Sequence, residues 1–337
     1  MTTSLPKQDP RTTEDCLFLD VVVPQTIFHG ASNATNNTSG APVLVWIYGG
    51  GYTSGEKSAY SAAGLIEASY AKSPEGIIFV SLNYRLGAFG WLSGPTLQSD
   101  GLANAGLYDQ RLALHWVQDN IHLFGGDPNR VTVIGESAGG GSIMHQIVAF
   151  GGLNGPAPFQ QAVLQSPAFQ NIASNFQQEQ IFDTFLSLLK VNTIEEARQL
   201  PSSALIAANI VQVANSPYGD FTWGPVVDGL FAPATPGKLL LQGSYDHDLK
   251  LMLGHNADEG LAFTNPAITN DTSFNKYILQ AFPTIQPNVA SYIEDVLYPS
   301  SMQGVLGLSG YKDETGRVDL LVSESTFTYA ESYRSHC

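Results

Sequence analysis

Gly135-Glu136-Ser137-Ala138-Gly139 sets a serine between two glycines in a Gly-x-Ser-x-Gly pattern. A serine hydroxyl can attack a carbonyl carbon and form an acyl intermediate if a base takes its proton. The flanks give the pattern its meaning. Residues 131–134 are β-branched and uncharged, which predicts a buried strand. Beyond the pattern, Ile143, Met144, Ile147 and Val148 recur at helical spacing. Strand, tight turn and helix form the context that lifts a nucleophilic serine onto a strained turn above a sheet. The glycines let the strand and helix backbones pass closely. Taken bare, the same pattern is also a Gly-rich turn that merely packs.

A second group could act with it. Residues 42–48 predict a strand buried on both faces, and it runs into Gly49-Gly50-Gly51-Tyr52. Glycines after a strand permit backbone N–H groups to face a cleft, which is what stabilising a developing oxyanion requires. A flexible loop is the alternative.

The elements that must position these groups follow in order. Strands are expected over residues 17–24, 42–48, 76–84, 131–134, 159–166 and 248–254, with helices over 61–71, 106–120 and the stretch after Ser137. Strands alternating with helices imply an α/β protein with a mainly parallel central sheet and helices on both faces. Residues 31–40 read as an exposed polar loop, and 124–128 as a turn. From 171 to 246 the pattern changes to helices over 181–190, 194–200 and 202–213, an insertion of the kind that covers an active site. Later helices are expected over 275–281, 288–297 and 319–334.

Composition narrows the function classes. The 337 residues contain 43% hydrophobic side chains, enough for a large core as one domain. The net charge of −15 argues against nucleic acid or an anionic membrane as partner. No apolar run reaches the roughly 18 residues of a membrane-spanning helix. Asn33, Asn36, Asn37 and Asn270 each begin an Asn-x-Ser/Thr sequon, which leans toward a secreted glycoprotein. The N-terminal residues carry no apolar leader segment. Asp246-His247-Asp248 is too compact to wrap a metal ion and reads as a polar turn.

Six stretches occur in a fixed order: Glu14-Asp15-Cys16-Leu17, residues 46–52, residues 83–87, residues 109–116, residues 124–128 and residues 135–140. Together they resemble the type-B carboxylesterase family, which includes cholinesterases and fungal lipases. The resemblance runs from about residue 14 to 259 and more weakly beyond. It implies an α/β-hydrolase fold, an ester substrate (small-molecule or lipid), and no cofactor or metal. It implies that Ser137 is the acyl-forming nucleophile and that the N–H groups of Gly50, Gly51 and Ala138 form the oxyanion hole. Glu136 matches a carboxylate beside the nucleophile. Glu259 matches the catalytic acid, with Asp258 as the alternative; its place after Ser137 fits the chain order Ser, acid, His. The resemblance also implies a Glu14–Arg85 ion pair. Tyr52, Phe221 and Trp223 are candidates to line an acyl pocket.

Two features depart from the family. Its catalytic histidine follows the acid, whereas His29, His115, His122, His145, His247 and His255 all precede Glu259 and only His336 follows it. The cysteine that would pair with Cys16 is absent, and Cys337 is the only other cysteine. Cys16 is therefore expected as a free thiol, or as cross-linked between chains if the protein is secreted, and the chain as an interior piece of a longer, secreted esterase, inactive for want of the histidine. A non-catalytic, neuroligin-like interaction protein and an inert gene remnant are the competing readings. Retention of the serine argues against the former.

Overall fold

The computed structural model describes residues 10–33, 40–72, 74–168, 172, 174–300 and 311–328. These fall into two compact units: Met1–Ala214 with Trp223–Gly254, and Asn215–Thr222 with His255–Cys337.

The first unit is built on six strands: β1 (Leu19–Val22), β2 (Ala41–Ile47), β3 (Ile78–Leu82), β4 (Gly126–Glu136), β5 (Gln161–Gln165) and β6 (Lys250–Gly254). Their order across the sheet is β1-β3-β2-β4-β5-β6. β1 runs antiparallel to β3, and every other pair is parallel. A parallel sheet needs cover on both faces, and its strands are accordingly apolar. β3, Ile-Phe-Val-Ser-Leu, is buried at all five positions. The register sets Ile47 beside Gly135, Glu136 beside Gln165, and Gln165 beside Gly254. The carboxyl ends of β2, β4, β5 and β6 thus lie side by side.

Helices fill the crossovers. They are α1 (Gln25–Asn33), α2 (Ala63–Ser69), α3 (Ala88–Trp91), α4 (Pro95–Gln98), α5 (Ala105–Asn120) and α6 (Ala138–Ile147). α6 is buried along its whole length, His145 and Gln146 included, and the three glycines near its start let it pack closely. α5 presents Leu107, Leu114 and Val117 to the core. The inserted stretch forms α7 (Asn175–Leu189), α8 (Ile194–Arg198), α9 (Ser202–Ala214) and α10 (Pro236–Leu241). Ser174 and Thr193 cap α7 and α8 by accepting from Gln177 N and Glu196 N.

Several expectations are corrected. The backbone over Gln25–Asn33 is helical where the start of a polar loop was expected at residue 31; residues 34–39, with the Asn36 and Asn37 sequons, lie outside the described residues. α3, α4 and α10 were not foreseen, being too short to show a period.

The second unit contains α11 (Asp271–Ala281), α12 (Pro287–Tyr292) and α13 (Glu314–Val322). α13 begins at Glu314, capped by Asp313 and five residues before the expected start, and gives way at Ser323 to a wider helical turn. Phe274, Ile278, Val318 and Leu321 form its apolar core. A fully buried Arg317 lies among them, its guanidinium 3.9 Å from the Phe274 ring centroid.

Candidate active site

Ser137 joins β4 to α6 with φ 56° and ψ −124°. A residue with a Cβ rarely adopts this conformation, which costs on the order of 1–3 kcal/mol and persists only when its surroundings dictate it. Here they do. The Ser137 N–H donates to the Gln165 carbonyl at 3.0 Å, and the Ser137 carbonyl accepts from Gly141 N at 2.9 Å and Ala168 N at 3.0 Å. Close packing completes the constraint. A Cβ on Gly139 would stand 2.1 Å from the Ile47 carbonyl oxygen, so only glycine lets α6 meet β2.

The Gly-rich loop leaves β2 beside this turn. A Cβ on Gly49 would lie 2.9 Å from Ser137 Cβ and 3.1 Å from Glu136 Oε2, so Glu136 extends over the loop's first residue. Gly50, Gly51 and Tyr52 follow with φ of 107°, 59° and 61°. The Gly50 carbonyl turns inward and accepts from Thr53 N at 3.2 Å and Ser54 N at 3.1 Å. Among the described residues, no protein acceptor pairs with the N–H of Gly50, Gly51 or Ala138. Ala138 opens α6, where the first N–H groups have no intrahelical partner and carry the positive end of the helix dipole. Ser137, Gly50, Gly51 and Ala138 thus all occupy the carboxyl end of the sheet in the first unit.

Glu259 belongs to the second unit. Its Oε1 accepts from Asn256 N at 2.7 Å and from Asn256 Nδ2 at 3.3 Å, which fixes the carboxylate in its own loop. Behind it, Gly260 N donates to Ser323 Oγ at 2.7 Å, and Ser323 Oγ donates to Asp319 Oδ1 at 3.1 Å. A Cβ on Gly260 would stand 2.1 Å from the Asp319 carbonyl oxygen, so the loop rests directly on α13. Burial holds the Asp319 carboxyl above the usual aspartate range, and the charge of Asp258 adds to the effect.

Other expected residues are placed as follows. Arg85 does not pair with Glu14. Its Nε and Nη2 each donate at 2.7 Å to the two oxygens of buried Asp109, whose Oδ2 also accepts from Arg85 N at 3.1 Å. The planar fork matches one carboxylate on both sides, and α5 brings Asp109 to the right distance. Glu14 instead accepts from the Ser202 hydroxyl. Cys16 is a free thiol, with burial the main cause raising its pKa and the Asp109 charge next. Tyr52 and Trp223 are core residues, packed against Trp91 and Phe185 respectively, so they do not line an open pocket. Phe221 packs on Phe263 within the second unit. Asp246 accepts from Ala157 N and Asp248 N, as a polar turn does. His336 and Cys337 lie outside the described residues.

A mainly parallel sheet flanked by helices, with a strained serine between its central strand and a buried helix, defines the α/β-hydrolase class. The crystal structure of EstA from Aspergillus niger shares it: TM-score 0.78 at 27% identity, covering 98% of this chain and 62% of that one. The carboxylesterase family model matches residues 1–299, and the chain belongs to the carboxylesterase family. It is 45% identical over 317 residues to carboxylesterase patB of Aspergillus clavatus, covering 94% of this chain and 56% of that protein. It is 36% identical over 302 residues to a secreted lipase of Arthroderma benhamiae, covering 87% of this chain and 56% of that protein. The chain therefore spans a little over half the length of these relatives. No described helix is long and apolar enough to cross a membrane.

Proposed function

We propose that the protein hydrolyses carboxylic esters through a Ser137 acyl-enzyme. Ser137 Oγ attacks the ester carbonyl carbon while a base takes its proton. The N–H groups of Gly50, Gly51 and Ala138 hold the oxyanion of the tetrahedral intermediate. The C–O bond to the alcohol then breaks, the base returns the proton to the leaving oxygen, and water repeats the sequence on the acyl-enzyme. Glu259 orients the base. It follows the end of β6, itself beside the Ser137 end of the sheet, by five residues of chain. The observation that carries the reading is the φ of 56° at Ser137, strain held in place at the junction of β4 and α6.

The inserted stretch 171–246 covers the site and shapes access to it. In support, Asn209 of α9 accepts from Ala88 N at 2.9 Å, and Gly87 N donates to the Tyr52 carbonyl at 2.9 Å, linking the insertion to the Gly-rich loop. The secreted lipase among the relatives, with the sequons, supports a secreted glycoprotein.

Only His336 follows Glu259 in this sequence. Without a base, a serine hydroxyl is a weak nucleophile; in one Ser-His-Asp enzyme, removing the histidine costs roughly 2 × 10⁶ in kcat. The 337-residue chain on its own is therefore expected to turn over p-nitrophenyl butyrate very slowly. Robust hydrolysis lost in both Ser137→Ala and His336→Ala would make His336 the base and overturn that expectation. Hydrolysis unaffected by Ser137→Ala would remove the acyl-enzyme altogether.

A further inference from the structure

Tyr52 has the wrong conformation for an ordinary core residue. Its φ is 61°, in the left-handed region that β-carbon-bearing residues avoid, and its side chain is fully sealed from solvent. A buried phenol must find a partner. Its hydroxyl donates to the Ala168 carbonyl at 3.1 Å. The N–H of that same Ala168 donates to the Ser137 carbonyl at 3.0 Å. The phenol therefore reaches the nucleophile's own peptide through a single intervening residue.

The surroundings keep this connection open. A Cβ on Gly141 would lie 2.1 Å from the Ala168 carbonyl oxygen and 2.8 Å from the Tyr52 hydroxyl, so glycine at that point in α6 leaves the space the bond occupies. The Ser142 hydroxyl lies beside the phenol, and Gln110 Nε2 donates to Ser142 Oγ at 3.0 Å. Gln110, Ser142 and Tyr52 are all fully buried. Burial pushes the Tyr52 hydroxyl far above its ordinary pKa, so it remains a donor.

We infer that the Tyr52 hydroxyl is a positioning residue: through Ala168 it locks the Gly50–Gly51 turn to the Ser137 peptide, so that the oxyanion donors and the nucleophile keep one geometry. This rests on the ester-hydrolase reading for its catalytic consequence, but not for the mechanical one. A phenylalanine would fill the same space against Trp91, 4.6 Å away between ring centroids, and lose only the donor.

The test is Tyr52→Phe followed by hydrogen exchange with peptide resolution, which needs no turnover. The variant removes the phenol's bond to the Ala168 carbonyl, so amides of residues 49–54 are expected to exchange about tenfold faster. Those of β3 and α5 stay within twofold of the parent. Unchanged exchange at residues 49–54 overturns the inference, and so does a uniform rise across the whole unit, the mark of a merely structural residue. Gln110→Leu serves as the second variant, reaching the phenol from the far end of the chain; it should loosen the same residues to a smaller extent. The catalytic arm compares Ser137-dependent ester turnover. Because an oxyanion forms only after attack, Tyr52→Phe lowers kcat by about tenfold with KM unchanged. Faster exchange at 49–54 together with turnover indifferent to Ser137→Ala keeps the positioning bond and rejects the ester-hydrolase reading.

Discussion

Ser137 is held through its own main chain, and Glu259 through its own side chain. The serine turn is fixed by three backbone hydrogen bonds and by a helix that approaches its strand too closely for any Cβ at Gly139. The glutamate is fixed by Asn256, and its loop by Ser323 and Asp319, within a unit whose core is pinned by one buried guanidinium. Arg317 donates from Nε to the Tyr298 carbonyl at 2.7 Å, from Nη2 to the Glu294 carbonyl at 3.1 Å, and from Nη1 to Asp271 at 2.6 Å and Glu314 at 3.1 Å. The difference teaches where robustness lies. Backbone geometry resists side-chain change except at the few glycines that make it possible. A side-chain clasp fails at a single residue.

The largest effect is expected at that clasp. Arg317→Ala leaves two carbonyls and two carboxylates without their donor, and should destabilise the second unit by roughly 3–5 kcal/mol. Limited proteolysis should then cut within residues 255–328 and spare the sheet. Arg317→Lys should rescue little, because one ammonium cannot span the fork. Equal resistance of parent and variant would show that the apolar cluster suffices.

The matching perturbation in the first unit is Gly139→Ala. Its methyl would press on the Ile47 carbonyl, a backbone atom that cannot swing aside. Overpacking of this kind costs roughly 1–3 kcal/mol. Chemical denaturation followed by tryptophan fluorescence should report the loss, while Leu153→Ala, at an exposed surface position, should cost nothing measurable.

A smaller, pH-dependent effect separates the units further. Burial raises the pKa of Asp220, which accepts from Gln280 Nε2 at 3.1 Å in the second unit. The folded state therefore binds this proton more tightly than the unfolded chain. The resulting stability is fully present below the ordinary aspartate pKa of about 3.9 and is lost as pH rises through the raised value. Asp220→Asn should thus gain stability relative to the parent at pH 7, with the gap closing below about pH 4. A gap that widened on acidification would contradict the sign.

The same contrast explains what could be read in the sequence. β2, β4, α5 and α6 were legible because apolar periodicity and paired glycines record backbone constraints directly. The serine turn and the Gly-rich loop were legible for the same reason. The partner of Arg85 was not: Asp109 and Glu14 are both carboxylates in family-like stretches, and only the packing of α5 decides between them. Tyr52 and Trp223, candidates for pocket lining, are core residues instead, because an aromatic ring has the same sequence signature in a core as in a cleft. No sequence signal joins Tyr52 to Ala168 across 116 positions; the nearest hint is the third consecutive glycine, Gly141, which leaves room for that bond. The start of α13 at Glu314 could have been found, since Asp-Glu before an apolar run is an ordinary helix start.

The central claim is that the strained serine is a nucleophile beside preset oxyanion donors. A fluorophosphonate probe reports it most directly, since it bonds to an activated serine far faster than to an ordinary one and its adduct mimics the tetrahedral intermediate. Incubated with the protein and analysed by peptide mass spectrometry, the probe is expected to modify the peptide containing Ser137 and no other serine, slowly in the 337-residue chain, and not at all in Ser137→Ala. Modification spread over several serines at equal rates, or none at Ser137 after prolonged incubation while the fold stays intact, would contradict the account.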